Sequence, residues 1–344
     1  MSAVTTSGRG QIVVALDAMG GDSAPEEPVK GALEASGPDI RVLLVGDEPQ
    51  VRAEVQRQAG QMPPHVGFVH APETVSSHEA GATAVREKPD SSVARVCRLV
   101  GKGDAHGAVS AGHTGAMLAA ATLYMKRVPG VIRPAVAVVI PSARGPVLLL
   151  DAGASAEARA EYYPQFALMG RLFARDVLGI PEPTVGLLSI GEEELRGNEA
   201  VQAAHALLRD TPGFVGNVEG RDINAGLADV VVTDGFTGNV VLKALEGAAS
   251  YLMSEVRAAV MRTTRGRVGA LLVRPALRSM RDKIDPEVYG GAYLLGVRGL
   301  CVIAHGNASA EGLGNAVRLA AQGAREDLVG HFAAALGSER VASA

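Results

Sequence analysis

At 344 residues the chain is long enough for one large α/β domain, or two lobes, around a substantial core. Aromatics are 3% with no Trp and the net charge is −4, which argues against stacked-base recognition of single-stranded nucleic acid and against a general polyanion partner. Two cysteines, Cys97 and Cys301, are too few and too far apart for a disulfide scaffold or zinc motif. Cys97 falls on a helical stripe with Val93, Val96 and Val100, and Cys301 sits in the apolar run LCVIA, so both read as core residues suited to a reducing cytosol. Residues 1–10 form a polar tail without the apolar segment of a signal peptide, and no run of 18 apolar residues is present. A cytoplasmic location is expected.

In chain order, Ile12–Leu16 is a predicted strand, and Pro25-Glu-Glu-Pro28 opens a helix to about Ser36. Arg41–Val45 is a strand, Pro49–Ala59 a helix, Gly67–His70 a short strand and Thr74–Thr83 an irregular loop. Asp90-Ser-Ser92 caps a helix to about Gly101. Further strands are predicted at Ala108–Ser110, Ala135–Ile140, Val147–Asp151, Val185–Ile190, Asp229–Thr233 and Leu300–His305. Helices are predicted at Gly115–Lys126, Ala158–Leu178, Asn198–Leu208, Asn239–Val260 and Gly312–Leu336. No linker divides the chain and no repeat period is visible. One α/β domain over residues 11–337 is expected, with a helical excursion at 250–285 and a C-terminal tail at 338–344.

Repeatedly, an apolar run stops at a Gly-, Ser- or Asp-rich turn that opens a helix. Such turns are Asp17–Asp22, Gly112–Gly115, Asp151–Ser155, Gly191–Glu194, Asp234–Asn239 and His305–Asn307. Strand, glycine turn, helix is the unit of a parallel α/β sheet, which predicts that these turns gather along one edge, where ligands bind. Gly permits close backbone approach and helix starts offer N–H groups, so the chemistry expected there is phosphate or carboxylate handling.

The common nucleotide and hydrolase signatures are missing. There is no G-x-G-x-x-G after a strand, no P-loop, no H-E-x-x-H and no G-x-S-x-G. Neither a metal nor a cofactor is called for. Asp234-Gly-Phe-Thr-Gly-Asn239 with Lys243 reads either as an oxyanion cradle or as a tight turn with a capped helix. Gly191-Glu-Glu-Glu-Leu-Arg-Gly-Asn-Glu199 is either a charged surface loop or an anion fork built on Arg196. In Ser110-Ala-Gly-His-Thr-Gly115, His113 is a donor or polar filler. From Arg257 to Arg281 there are seven Arg and no acid, with interleaved apolar residues. That stretch is two ordinary amphipathic helices or a basic, apolar-tipped hairpin for an anionic membrane surface or an acidic carrier.

The blocks LDAMGGD, SAGHTGA, LLDAGA, GLLSIGEEELRGNE, GNVEGRDI, DVVVTDGFTGNVVLKALEG, YGGAYLLG and AHGNA resemble, in order and spacing, the bacterial phosphate acyltransferase family, from about Ile12 to Ala324. Three positions depart from the family pattern: His113 and Ser155 stand where Asn is usual, and Arg196 where Lys is common. The resemblance implies a Rossmann-like three-layer sandwich with a mostly parallel sheet, like isocitrate and isopropylmalate dehydrogenases and phosphotransacetylases, with a protruding helical hairpin. It also implies a homodimer that moves a long-chain acyl group from acyl carrier protein (ACP) to inorganic phosphate for phospholipid synthesis. Arg196 and Asn239 occupy the positions most tied to activity. On that basis Arg196, Asn239, Asn198 and the turn Asp234, Gly235, Thr237, Gly238 are expected to hold phosphate, with Lys243 offsetting charge. Gly112, His113, Thr114 and Gly115 are expected to bind the thioester oxyanion. Arg262, Arg265, Arg267, Leu271, Leu272, Arg274 and Arg278 are the expected carrier and membrane contacts, with peripheral membrane association. The nearest rival is a small-acyl phosphotransacetylase using acyl-CoA.

Overall fold

The computed structural model describes residues 10–76, 78–270, 272–274 and 286–342. Leu271 and Arg278 of the expected hairpin contacts lie outside them. In chain order the strands are β1 (Ile12–Asp17), β2 (Ile40–Gly46), β3 (Val66–His70), β4 (Gly107–Ser110), β5 (Ala135–Pro141), β6 (Pro146–Leu150), β7 (Val185–Leu188), β8 (Phe214–Val218), β9 (Val230–Val232), β10 (Ala292–Leu295) and β11 (Leu300–Ile303). They form one sheet in the order β3-β2-β1-β4-β11-β10-β5-β6-β9-β7-β8.

Pairing is parallel through β3-β2-β1-β4-β11 and again through β6-β9-β7-β8. The junctions β11-β10, β10-β5 and β5-β6 are antiparallel. The two parallel sets therefore run in opposite directions, and the expectation that every strand-end turn shares one edge is overturned. The cause is local. β5 and β6 are joined by Ser142–Gly145, closed by the Ser142 N–H donating to the Gly145 carbonyl at 3.1 Å. A link this short can only reverse the chain, whereas a parallel neighbour needs a long crossover.

Alternation along the strands feeds two apolar layers. Val14 and Leu16 face one, Val13 and Ala15 the other. The first face is covered by α1 (Glu26–Ala35), α2 (Glu48–Ala59), α6 (Tyr163–Asp176), α7 (Glu199–Leu208), α10 (Ala310–Arg325) and α11 (Leu328–Ala342). The second is covered by α3 (Gly81–Glu87), α4 (Ser92–Lys102), α5 (Thr114–Ala120), α8 (Gly220–Ala225) and the near end of α9 (Gly235–Met261). The result is a three-layer α/β sandwich. Beyond about Gly247, α9 leaves the body, and Tyr251, Leu252 and Val256 are exposed.

Several boundaries differ from the sequence reading. The predicted helix Gly312–Leu336 is two helices, because Asp327 adopts φ +47° and turns the chain between them. Short polar residues such as Asp tolerate that conformation best. Ala158–Leu178 is a 3₁₀ turn at Ala160–Tyr162 followed by α6, and α5 ends in a π-helical turn, Ala121–Met125. The loop read at Thr74–Thr83 gives way to α3 from Gly81, and β8, β10 and α8 were not anticipated.

Candidate active site

α9 starts where β9 ends, and its opening turn is closed on itself. The Asp234 side chain accepts from the Thr237 N–H at 2.8 Å and from the Thr237 hydroxyl at 2.7 Å. The Gly238 N–H donates to the Asp234 carbonyl, and the Gly235 N–H to the Ser155 carbonyl. The glycines serve packing. A Cβ on Gly235 would crowd the Ser155 backbone, and one on Gly238 would collide with the Asp151 carbonyl. The backbone donors of Gly235, Thr237 and Gly238, and the Asp234 side chain, thus have partners within the fold, and the turn is a capped helix start.

One turn on, the geometry changes. Asn239, Leu242, Lys243, Glu246 and Ser250 share one face of α9 and form a wall of a cavity of about 1160 Å³. The opposite wall is the end of β4 with Gly112, His113 and Thr114, and the end of β11 with His305, Gly306 and Asn307. Glu287, Gly290, Gly291 and Ser309 close another side. α9 is what reconciles the two opposed edges, since it carries polar side chains from the β9 end back across the sheet to β11. Lys243 Nζ lies 2.7 Å from Glu246 Oε2 and 3.5 Å from His305 Nε2. Gly115 is not part of the wall; its open Cα leaves room for the His113 ring.

The His113 departure has a structural explanation. Its Nδ1 accepts from the Ala116 N–H at 3.1 Å, the bond a capping Asn oxygen makes. With Nδ1 accepting, a neutral ring carries its proton on Nε2 and can donate. The Gly112 N–H is used by Ser110 Oγ, which in turn donates to buried Asp17 at 2.8 Å. Burial pushes the Asp17 carboxyl above its ordinary value, opposed by bonds from Ser92, Ser110, Met19 and Gly20. The same design recurs at β6, where Asp151 accepts the N–H groups of Val136, Gly153, Ala154 and Ser155. Ser155 is buried and accepts from Arg133 Nε at 2.9 Å.

Arg196 and Asn198 do not line the cavity. Asn198 caps α7 by accepting from the Val201 N–H at 2.9 Å. Arg196 is largely exposed and pairs with Glu193 at 3.0 Å. The loop is held from behind, because buried His205 bonds Asn217, whose amide donates to the Glu193 carbonyl. β7 and β9 are parallel neighbours with Leu187 opposite Val232, so the Arg196 loop and the Asn239 turn leave the sheet side by side. His305, Asn307, Glu246 and Glu287 were not singled out from sequence. The AHGNA block marked the first two as a strand-end turn only.

Cys97 and Cys301 are both buried, and burial raises both thiols, Cys301 to about 12. Neither is available as a thiolate nucleophile.

Comparison with known proteins agrees with this architecture. The model of the family described as fatty acid synthesis protein matches residues 12–330. The phosphate acyltransferase of Heliobacterium modesticaldum is 46% identical over 318 residues, 92% of this chain and 95% of that protein. That of Thermus thermophilus is 50% identical over 306 residues, covering 88% and 92%. Among solved structures, the EutD phosphotransacetylase from Staphylococcus aureus is similar with a TM-score of 0.59 at 16% identity, over 91% of this chain and 94% of its own. 4-Hydroxythreonine-4-phosphate dehydrogenase from Klebsiella pneumoniae follows at a TM-score of 0.51 and 15% identity, covering 92% and 98%. The structural likenesses establish the fold alone. The sequence relationships establish that the chain belongs to the phosphate acyltransferase family, enzymes that transfer an acyl group to phosphate.

Proposed function

We propose that the protein takes a long-chain acyl group from the thioester of an acyl carrier protein and passes it to inorganic phosphate, releasing acyl phosphate and the carrier thiol. The observation that supports this best is the single cavity on which Asn239 and Lys243 face His305 and the His113–Thr114 turn. In the step, an oxygen of hydrogen phosphate attacks the thioester carbonyl carbon. The oxyanion so formed collapses as the C–S bond breaks, and the proton carried by phosphate ends on the departing sulfur. Phosphate is nucleophilic without a strong base, so positioning and charge stabilisation are what the protein must supply. Asn239 and Lys243 hold phosphate, and His113 and Thr114 donate to the oxyanion. His305, an imidazole beside Lys243, carries the proton from phosphate to sulfur.

Arg196 completes the phosphate site by exchange. Its pair with Glu193 is exposed and screened by solvent, so it is weakly held. A phosphate dianion is a better partner for its fork, so the side chain leaves Glu193 when phosphate enters. Arg196→Ala should then raise KM for phosphate more than tenfold; an unchanged KM removes Arg196 from the site.

The volume and apolar floor of the cavity favour a long chain over acetyl. Purified protein should release thiol from hexadecanoyl-ACP only when phosphate is present, and faster than from acetyl-CoA. Preference for acetyl-CoA would favour the small-acyl reading.

The excursion serves as docking surface in this reading. Arg262, Arg265, Arg267 and Arg274 are exposed, as are Val268 and Leu272. Acidic carrier would be steered there with strong salt dependence, and the apolar residues would enter an anionic leaflet. Among the described residues no helix is long and apolar enough to cross a membrane. Val268→Glu with Leu272→Glu should abolish flotation with anionic vesicles; retained flotation would remove the membrane contact. The exposed Tyr251, Leu252 and Val256 support a homodimer through α9. A monomeric mass in sedimentation would exclude it.

A further inference from the structure

The cavity encloses far more space than phosphate needs. Its volume of about 1160 Å³ exceeds the roughly 300–1,000 Å³ of clefts that hold a whole organic ligand. The floor is the sheet itself. Ala292 pairs with Ile303, and Val136 pairs with Leu294, which brings Val138 beside Ala292 on the same face. Val136, Val138, Ala292 and Ile303 therefore make a continuous apolar surface across β5, β10 and β11. Val138, Ala292 and Leu242 of the α9 wall are only half-buried, although they pack against the core. From Asn239 to Ser250 the wall spans twelve residues of helix, a rise of about 16 Å. The polar groups stand along the walls and the apolar groups beneath them. An apolar, elongated ligand with one polar end fits that division.

We infer that this floor seats the hydrocarbon tail of the acyl donor, with Ala292 and Leu242 setting the chain length accepted. The inference rests on the acyl donor proposed above. Ala292 has the smallest side chain of the floor and sits on its middle strand, so anything larger there takes space from the tail. Leu242 presses on the same space from α9.

Two features follow for the unaltered protein. The value of kcat/KM should rise about fourfold with each methylene added to the donor, equivalent to about 0.8 kcal/mol each, until the floor is filled. Dodecanoate should bind in calorimetry with a negative heat-capacity change.

The test is the chain-length profile on carrier-linked donors from butanoyl to hexadecanoyl, for the unaltered protein, Ala292→Leu and Leu242→Ala. In Ala292→Leu the ratio of kcat/KM on the hexadecanoyl donor to that on the butanoyl donor should fall more than tenfold. Leu242→Ala should raise it. Ala292→Leu should also weaken dodecanoate binding. A flat profile in the unaltered protein overturns the inference while leaving the reaction intact. So does a loss in Ala292→Leu that is equal at every length, which is what a merely structural defect gives. If no donor of any length supports phosphate-dependent thiol release, it is the proposed reaction that fails. Calorimetry then decides the floor separately, with undiminished dodecanoate binding in Ala292→Leu counting against it.

Discussion

Asn239 follows directly on Gly238, and that adjacency explains how the site is built at the scale of single residues. Gly238 packs its Cα on the Asp151 carbonyl, which fixes the helix start and so the direction in which the Asn239 amide leaves it. His113 plays a double part on the opposite wall, capping α5 through Nδ1 while lining the cavity. His113→Asn should keep the cap, leaving stability within about 0.5 kcal/mol, whereas His113→Ala should cost about 1 kcal/mol. Denaturant titration of both variants checks this; equal losses would show that the ring and not the capping bond matters. Which residues could carry this chemistry was partly readable beforehand. Asn239 and Lys243 are four apart at the start of an amphipathic helix, so their shared face follows from helix periodicity. His305 was not readable as a partner, because it meets Lys243 across 62 positions of chain. The role of Gly235 and Gly238 could not be assigned from sequence, for a physical reason. A glycine placed for close approach looks the same in sequence whether the approaching atom belongs to a ligand or to the chain's own backbone.

Among the elements, α9 does most to join the fold to the site, and its first turn is where it is most sensitive. Gly238→Ala forces a Cβ against a backbone oxygen that has no rotamer to escape into, so a loss of about 1–3 kcal/mol or more is expected. A midpoint unchanged in thermal unfolding would mean the turn can open without cost. A second contact joins α6 to α11, where Asp176 accepts from Arg175 at 2.6 Å and meets His331 Nδ1 at 2.7 Å. Burial alone would raise the Asp176 carboxyl, but the bonds from Arg175 and His331 outweigh it and hold it below its ordinary value. A carboxyl depressed by folding contributes stability that is present above its unfolded value and lost as pH falls through the folded one. The stability difference between the parent and Asp176→Asn should therefore shrink as pH drops below about 4. A difference that stays constant down to acid unfolding would contradict the pairing. The elements themselves were legible where they are long or strongly patterned, as with β1 and α4. β8 carries Gly216 and Asn217 inside its run, which breaks the apolar pattern that marks its neighbours β7 and β9. The break at Asp327 is invisible because apolar spacing continues on both sides of it.

For the whole molecule, the decisive fact is the reversal at the β5–β6 hairpin. It sends the two parallel sets in opposite senses, so the strand-end turns divide between two edges. The reversal is legible in the six residues between the predicted strands Ala135–Ile140 and Val147–Asp151, which leave no room for a parallel crossover, but its consequence for the strand-end turns is not. α9 spans the gap and makes one cavity from both sets. In the proposed reaction, phosphate and acyl donor meet beside α9, over the central strands. The direct measurement is incorporation of radiolabelled phosphate into a hydroxylamine-sensitive, organic-soluble product from hexadecanoyl-ACP, by the parent protein and by Asn239→Ala at saturating phosphate. Labelled acyl phosphate is expected from the parent, with turnover reduced on the order of 10²–10³-fold in the variant, as when a preorganised donor is removed. Equal incorporation by both, or thiol release without labelled product, would contradict it.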